Sequence, residues 1–142
     1  MVMMGLDPGG RRIGVALSDP TGLLASAYTV LRRTTLERDL EALARIAREQ
    51  GVECVVIGLP LHLSGREGEE SERAREFAAR VEETLGLPVE LVDERLSSVE
   101  AERQLAAAGV RRDRWKEKLD AIAAAVVLQG YLDSLRYRRA EE

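Results

Sequence analysis

Three short apolar runs occupy the first quarter of the chain, and brief polar segments separate them. The runs cover residues 2–6, 13–17 and 23–31. Connections this short favour antiparallel hairpins over crossover connections. The pattern therefore predicts three strands joined as successive hairpins.

After these runs the spacing of the apolar residues changes to that of a helix. Thr34-x-x-Glu37 reads as a capping box at the start of this helix, and Gly51 ends it. The run that follows, residues 52–57, is apolar without interruption. Such a run is typical of a strand buried on both faces.

The rest of the chain alternates between helices and one more strand. Residues 61–70 are polar and show no period, so we expect a loop there. Helical spacing then predicts a helix that ends at Gly86, and a strand over residues 88–92 follows it. A helix over residues 97–108 and a last helix that continues to about Leu135 complete the series.

The predicted order is therefore β-β-β-α-β-α-β-α-α. It indicates an α/β fold with a mixed five-stranded sheet, three antiparallel hairpin strands followed by alternating helices and strands, and helices packed against the sheet. We expect one domain over residues 1–136 and a frayed tail over residues 137–142. Ligands of such sheets bind beyond the carboxyl ends of the parallel strands.

Composition narrows the class of protein. With 142 residues the chain has the size of one ordinary domain, and its formal net charge of −4 argues mildly against a basic nucleic-acid coat protein. The single Cys54 excludes a disulfide within the chain and suits a reducing compartment. No apolar run approaches membrane-spanning length. These features predict a cytoplasmic protein without a membrane partner.

The opening segment carries the first candidate chemistry. Asp7 ends the first apolar run, and the glycines at 9, 10 and 14 leave space where backbone can approach a ligand. A carboxylate beside a glycine turn could hold a metal ion next to a phosphate. The alternative is an ordinary hairpin whose Asp-Pro-Gly-Gly serves only as a turn.

Two further acids lie in or against apolar sequence. Glu94 follows the strand that ends near Asp93, and side chains alternate along a strand, so only one of these two can readily point at a given site. Asp120 shares a helical face with small and apolar residues, including Ala124 and Val127. A carboxylate on such a face either caps the helix or points at a cation.

Structural interpretations of the same residues stay open. Glu94 could form a surface ion pair with Arg95 or Arg103. Asp120 could be an N-cap if the last helix begins there. Trp115 reads as a packing anchor for that helix, although an aromatic residue near basic ones could also stack on a base.

Four segments, in this order, resemble the YqgF/RuvX family of RuvC-like bacterial nucleases, whose fold is that of ribonuclease H. Ser97, Ser98 and His62 depart from the residues usual in the family, and none of them is a carboxylate. The segments that carry the resemblance cover residues 5–19, 55–60, 92–102 and 119–124.

The resemblance implies that Asp7, Glu94 and Asp120 form a catalytic site that binds Mg²⁺ or Mn²⁺. The residue types agree with this, because hard divalent cations prefer carboxylate and water oxygens. Such ions can activate a water and stabilise the leaving oxygen of a phosphodiester. The candidates for contacts with the substrate are the backbone at Gly9 and Gly10 and the side chains of Arg11, Arg12, Arg95, Lys116 and Lys118.

The resemblance further implies a metal-dependent nuclease that processes the 5′ end of pre-16S rRNA. Kinship with RuvC raises cleavage of branched DNA as an alternative, and cutting two strands of a Holliday junction would require a dimer. We therefore expect nucleic acid as the partner and either a monomer or a homodimer. A non-catalytic RNA-binding factor in ribosome assembly and a nucleotide-binding module are the remaining alternatives.

Overall fold

The structure is a computed structural model that describes residues 1–60, 64–93 and 97–141, with the backbone alone at residues 97–99, 116–117 and 139–141. The element order confirms the prediction, with one short 3₁₀ turn added before the last helix. The elements are β1 (Val2–Pro8), β2 (Arg12–Ser18), β3 (Ala25–Arg32), α1 (Leu36–Gln50), β4 (Val52–Leu59), α2 (Glu69–Leu85), β5 (Val89–Asp93), α3 (Ser97–Ala107), the 3₁₀ turn (Arg112–Arg114) and α4 (Trp115–Glu141).

The five strands form one mixed sheet in the order β3-β2-β1-β4-β5. Strand β2 pairs antiparallel with both β1 and β3, whereas β4 pairs parallel with both β1 and β5. The predicted fold class is therefore confirmed. The parallel strands β1, β4 and β5 all end at one edge of the sheet, which is where ligands of such sheets bind.

Alternating side chains of the strands build two apolar layers. On one face, Met4 and Leu6 pack with residues of α1 and α2. On the other face, Met3 and Val56 pack with α4 residues such as Leu128. Because successive side chains of a strand point to opposite faces, the face of any strand residue follows from its neighbours.

The start of α1 differs from the prediction by one residue. The N-cap is Thr35, whose hydroxyl accepts from the Arg38 amide at 3.2 Å, so the capping box predicted at Thr34 is wrong. The reason is the buried carboxylate of Asp39, which accepts from the Thr34 amide at 3.0 Å and draws that residue out of the capping position. Gly51 ends the helix with φ of 67°, a left-handed conformation that favours glycine.

Helix α4 extends farther than predicted at its C-terminal end. It begins at Trp115, where the indole Nε1 donates to the Val110 carbonyl at 2.9 Å, and its backbone stays helical to Glu141. Asp120 therefore lies inside the helix, and the N-cap interpretation is wrong. The frayed tail over residues 137–142 stays a prediction. Within the described part of the chain, no helix is both long and apolar enough to cross a membrane.

A candidate active site where α4 crosses the sheet

Asp7 lies one residue before the end of β1 and faces helix α4. Its face follows from Gly5, two residues earlier, where an added Cβ would lie 2.8 Å from the Cβ of Leu128 and 3.0 Å from the carbonyl oxygen of Ala124. The Cα partner of Asp7 on β2 is Gly14. Asp7 and Gly14 therefore lie side by side on neighbouring strands and on the same face of the sheet.

Asp120 reaches this place from the helix. A Cβ added at Gly14 would lie 1.9 Å from the carbonyl oxygen of Asp120 and 2.8 Å from the Ala121 nitrogen. Only a residue without a side chain allows the helix this close to the strand. The structure thus brings Asp7 and Asp120, two of the three predicted site acids, to one edge and one face of the sheet.

The Asp120 carboxylate forms an ion pair with Arg12. The Nε of Arg12 lies 2.7 Å from Oδ2 of Asp120, and the two side chains are 43% and 25% exposed. The sequence assigned Arg12 to substrate binding, and the structure shows it next to a candidate metal ligand. A cation and a phosphate that bind here would meet both partners of this pair.

Asp93 lies on the opposite face from Asp7. It is the Cα partner of Leu59, and Leu91, two residues earlier, packs against the layer of α1 and α2. Asp93 is therefore placed away from helix α4. The third predicted acid, Glu94, and its neighbour Arg95 lie outside the described residues.

The glycine turn after β1 uses part of its backbone internally. The Gly9 amide donates to the Arg12 carbonyl at 2.8 Å, so this amide is already used within the turn. The space around Gly10 is open, because an added Cβ there would meet nothing within 4 Å. Contacts of substrate with the backbone at Gly9 and Gly10 both stay predictions.

Arg33 is a residue of this region that the sequence reasoning missed. Its Nη1 donates to the Gly9 carbonyl at 2.8 Å, and its Nε lies 3.4 Å from Oδ2 of the buried Asp39. Its guanidinium also lies over the Phe77 ring, 5.2 Å from the ring centre. Arg33 therefore ties the glycine turn to both α1 and α2, which no local sequence signal indicates.

A cleft of about 580 Å³ opens beside Asp7 at the carboxyl edge of the sheet. Its walls combine backbone of the glycine turn, two arginines, one further acid and an apolar floor. The lining residues other than Asp7 are Pro8, Gly9, Gly10, Arg33, Pro60, Glu70, Arg73, Ala74 and Phe77. Of the two site acids that the structure describes, Asp7 lines this cleft and Asp120 does not, so the cleft gives access from the solvent to Asp7.

The two lysines predicted to contact substrate lie near the start of α4. Lys118 is exposed on α4, two residues before Asp120, whereas the side chain of Lys116 lies outside the described part. Arg103 pairs with Glu100 at 3.5 Å, so it already has an acidic partner. The ion-pair alternative for Glu94 stays open, because Glu94 lies outside the described residues.

The chemistry of the donors fits Mg²⁺ or Mn²⁺. Asp7 and Asp120 offer hard carboxylate oxygens at the same edge. Among the residues that the structure describes, no group of three or more histidines, cysteines or acids is close enough to hold a metal, and Glu94 is outside that set. Burial raises the pKa of the Cys54 thiol, which disfavours the thiolate form that soft metals need. Metal binding by the three acids stays a prediction.

Comparison with known sequences gives consistent results. The RuvX family profile, described as Holliday junction resolvase, matches residues 1–134. A protein of Desulforamulus reducens is 47% identical over 94% of this chain and 98% of its own length. A protein of Myxococcus xanthus is 51% identical over 96% of this chain and 90% of its own length. Both relatives are named "Putative pre-16S rRNA nuclease".

Solved structures show the same fold at low sequence identity. RuvC of Thermus thermophilus, in complex with a Holliday junction substrate, is 15% identical with a TM-score of 0.62, and the match covers 96% of each chain. The Fowlpox virus resolvase, in complex with Holliday junction DNA, is also 15% identical with a TM-score of 0.56 over 95% of this chain and 99% of that one. At these identities the likeness establishes the ribonuclease-H-like arrangement.

Proposed function

The chain belongs to the RuvX family, and from this membership we propose that it is a metal-dependent nuclease that matures the 5′ end of pre-16S rRNA. The relatives at 47% and 51% identity carry a name for this activity and match nearly the whole chain. The observation that carries the proposal is the contact of Gly14 with the Asp120 backbone. It supports the proposal, because Gly14 is the strand partner of Asp7 and the contact brings the part of α4 that carries Asp120 to the edge where a ligand would bind.

In this proposal Asp7 and Asp120 hold the metal, with Glu94 as the third ligand. Bound there, Mg²⁺ or Mn²⁺ would supply the positive charge that activates a water and stabilises the leaving oxygen of the phosphodiester. Asp7 comes from a buried strand and Asp120 from a long packed helix. Side chains carried on strands and helices are positioned more precisely than side chains on loops, which favours both acids as metal ligands.

Arg12 has two roles in the same proposal. It neutralises Asp120 through the 2.7 Å ion pair, which lowers the repulsion between the acids. With a cation bound to Asp120, the guanidinium of Arg12 would be free to contact a phosphate oxygen. Such a contact orients the strand without reading its sequence.

Branched DNA is the second candidate substrate, because the family profile that matches this chain is described as Holliday junction resolvase. The two activities share the hydrolytic chemistry and differ in the shape of the nucleic acid. Resolution of a junction by this chain would require a homodimer, since two strands must be cut. A monomer is sufficient for trimming RNA.

The test is a cleavage assay with three substrates and either Mg²⁺, Mn²⁺ or EDTA. The substrates are a pre-16S rRNA fragment with its 5′ extension, a four-way DNA junction and a linear DNA duplex of equal length. We expect metal-dependent cleavage of the RNA at the 5′ side. Cleavage of the junction alone would replace rRNA maturation by resolution, and binding of RNA without any cleavage would support the assembly-factor alternative.

A further inference from the structure

A recess of about 440 Å³ lies next to the candidate active site, where the ends of β2 and β3 meet the start of α1. Four arginines and four other residues line it. Its lining residues are Gly10, Arg11, Arg12, Arg32, Arg33, Thr34, Leu36 and Asp39. We call it the arginine recess.

Two of the four cations are neutralised within the fold and two are not. Arg33 pairs with Asp39, and Arg12 pairs with Asp120. Within the described part of the chain, Arg11 and Arg32 form no ion pair, and both are exposed. The arginine recess therefore has positive charge that no described protein group offsets.

Arg32 has an unfavourable neighbour. It is the direct Cα partner of Arg12 across the antiparallel pair of β2 and β3. Side chains of such partners project from the same face, and like charges opposite one another destabilise a sheet. Because Asp120 already offsets the charge of Arg12, part of the repulsion between the two arginines remains, and an anion bound between or beside the two guanidinium groups would remove it.

The position of the Arg12–Arg32 pair indicates what kind of anion would bind there. Arg12 reaches Asp120, so its partner Arg32 lies one strand farther from the acids along the sheet. Neighbouring strands are about 4.8 Å apart. A chain with a negative charge at each repeat could thus place one charge at the acids and the next ones over Arg32 and Arg11.

The basic segment before α4, residues 111–114, is a weaker candidate for binding a polyanion. There the Arg111 guanidinium already pairs with Asp113 at 3.4 Å, and the Arg112 guanidinium lies over the Trp115 ring, 5.1 Å from its centre. The arginine recess is therefore the stronger candidate for a contact with a polyanion.

We propose that Arg32, together with Arg11, binds the sugar-phosphate backbone next to the cleaved bond. The nucleic-acid strand would then leave the active site across the open end of the β2–β3 hairpin, opposite its turn. This inference rests on the proposed nuclease function, because it takes nucleic acid as the polyanion. The contact is electrostatic, carries no sequence preference and weakens with salt.

Binding is measured with a pre-16S rRNA fragment at several salt concentrations, in an Asp7→Asn background that does not cleave. We expect Arg32→Gln to weaken binding several-fold at about 0.1 M salt and to reduce the slope of log K against log salt by about 0.7 to 0.9. The matched control is Arg45→Gln, which removes an exposed arginine of α1 and should leave affinity and slope unchanged.

Two further measurements separate substrate binding from a structural role. In the cleaving protein, Arg32→Gln should raise KM and leave kcat close to wild type, because Arg32 contacts a neighbouring phosphate and not the phosphate that reacts. The rise in melting temperature caused by Mn²⁺ should be unchanged, and the metal-free melting temperature should not fall, because the variant removes the repulsion from Arg12.

These measurements distinguish failure of this inference from failure of the proposed function. If the Asp7→Asn protein binds neither RNA nor branched DNA, both the proposed function and this inference fail. If it binds RNA and Arg32→Gln has wild-type affinity and salt slope, the inference alone is overturned. A loss of the Mn²⁺ effect in Arg32→Gln would likewise overturn it, because Arg32 would then support the metal site.

Discussion

The Cα of Gly14 lies against the backbone of Asp120 so closely that a Cβ at position 14 would come within 1.9 Å of the Asp120 carbonyl oxygen. Gly14 is also the strand partner of Asp7. One glycine therefore sets the distance between the helix that carries one acid and the strand that carries the other. The geometry of the candidate site depends on it.

Gly14→Ala should destabilise the protein and impair cleavage together. The new methyl group meets backbone atoms of α4, which can give way only if the start of the helix moves, and overpacking of this kind costs about 1–3 kcal/mol. Urea unfolding and cleavage rates of the same samples measure both effects. Gly130→Ala is the control, because its added Cβ meets nothing within 4 Å. It should not destabilise the protein, since alanine is about 1 kcal/mol more favourable than glycine in a helix interior. A Gly14→Ala protein with wild-type stability and rate would contradict this account.

Arg12→Gln should strengthen metal binding. The Arg12 guanidinium occupies the Asp120 carboxylate, so its removal frees a ligand from a competing cation. The Mn²⁺ concentration that gives half of the rise in melting temperature should therefore fall. Arg136→Gln serves as the control, since it removes an arginine that pairs with Asp133 on the same helix. Weaker Mn²⁺ binding in Arg12→Gln would show that the pair organises the site and does not compete with the metal.

Arg33→Gln should destabilise the fold by about 1–3 kcal/mol, because the buried Asp39 loses its cationic partner. Chemical denaturation measures the loss. The matched control is Arg75→Gln, whose partner Glu67 is about half exposed, and exposed pairs contribute about 0–1 kcal/mol. Equal effects of the two substitutions would mean that burial of Asp39 does not make its ion pair stronger.

Asp19 should make stability depend on pH in acid. Hydrogen bonds from the Leu24 amide, the Thr21 hydroxyl and the Leu23 amide lower the pKa of Asp19 to about 2, below the value of about 3.9 in an unfolded chain. A lowered pKa stabilises the folded state above the unfolded value, and that stabilisation is lost as the pH falls through about 2.

Asp19→Asn removes this titration. The free energy of unfolding of wild type minus that of the variant should be largest above pH 5 and should shrink between about pH 4 and pH 2. Denaturant unfolding at several pH values measures the difference. A difference that stays constant over this range would show that the Asp19 carboxylate does not keep its lowered pKa in the folded protein.

The sequence predicted the architecture because its signals are local and periodic. Continuous apolar residues predicted the buried strand β4, and Gly51 and Gly86 marked helix ends that the structure confirms in the left-handed conformation. The approach of Asp7 to Asp120 was also foreseeable, since the family resemblance paired the two segments and the fold places them at one edge.

The interactions that sequence reasoning missed depend on how the elements pack, and one of them joins distant parts of the chain. Arg12 and Asp120 are 108 residues apart, and no periodicity relates them. Arg33 follows another arginine at a strand end, and its contacts with Asp39 and Phe77 form only when α1 and α2 pack against the sheet. The N-cap at Thr35 depends on the same buried Asp39. The roles of Glu94, Arg95, Lys116 and Lys118 stay predictions.

The central claim is that Asp7 and Asp120 act together as metal-binding catalytic acids. Its most direct test is the cleavage rate of a pre-16S rRNA fragment in Mn²⁺ by wild type, Asp7→Asn and Asp120→Asn, with Asp113→Asn as an exposed acidic control from the segment before α4. We predict that each site variant loses roughly 100-fold or more in rate, that both lose the Mn²⁺-dependent rise in melting temperature, and that the control keeps both. Wild-type cleavage by either site variant would contradict the claim.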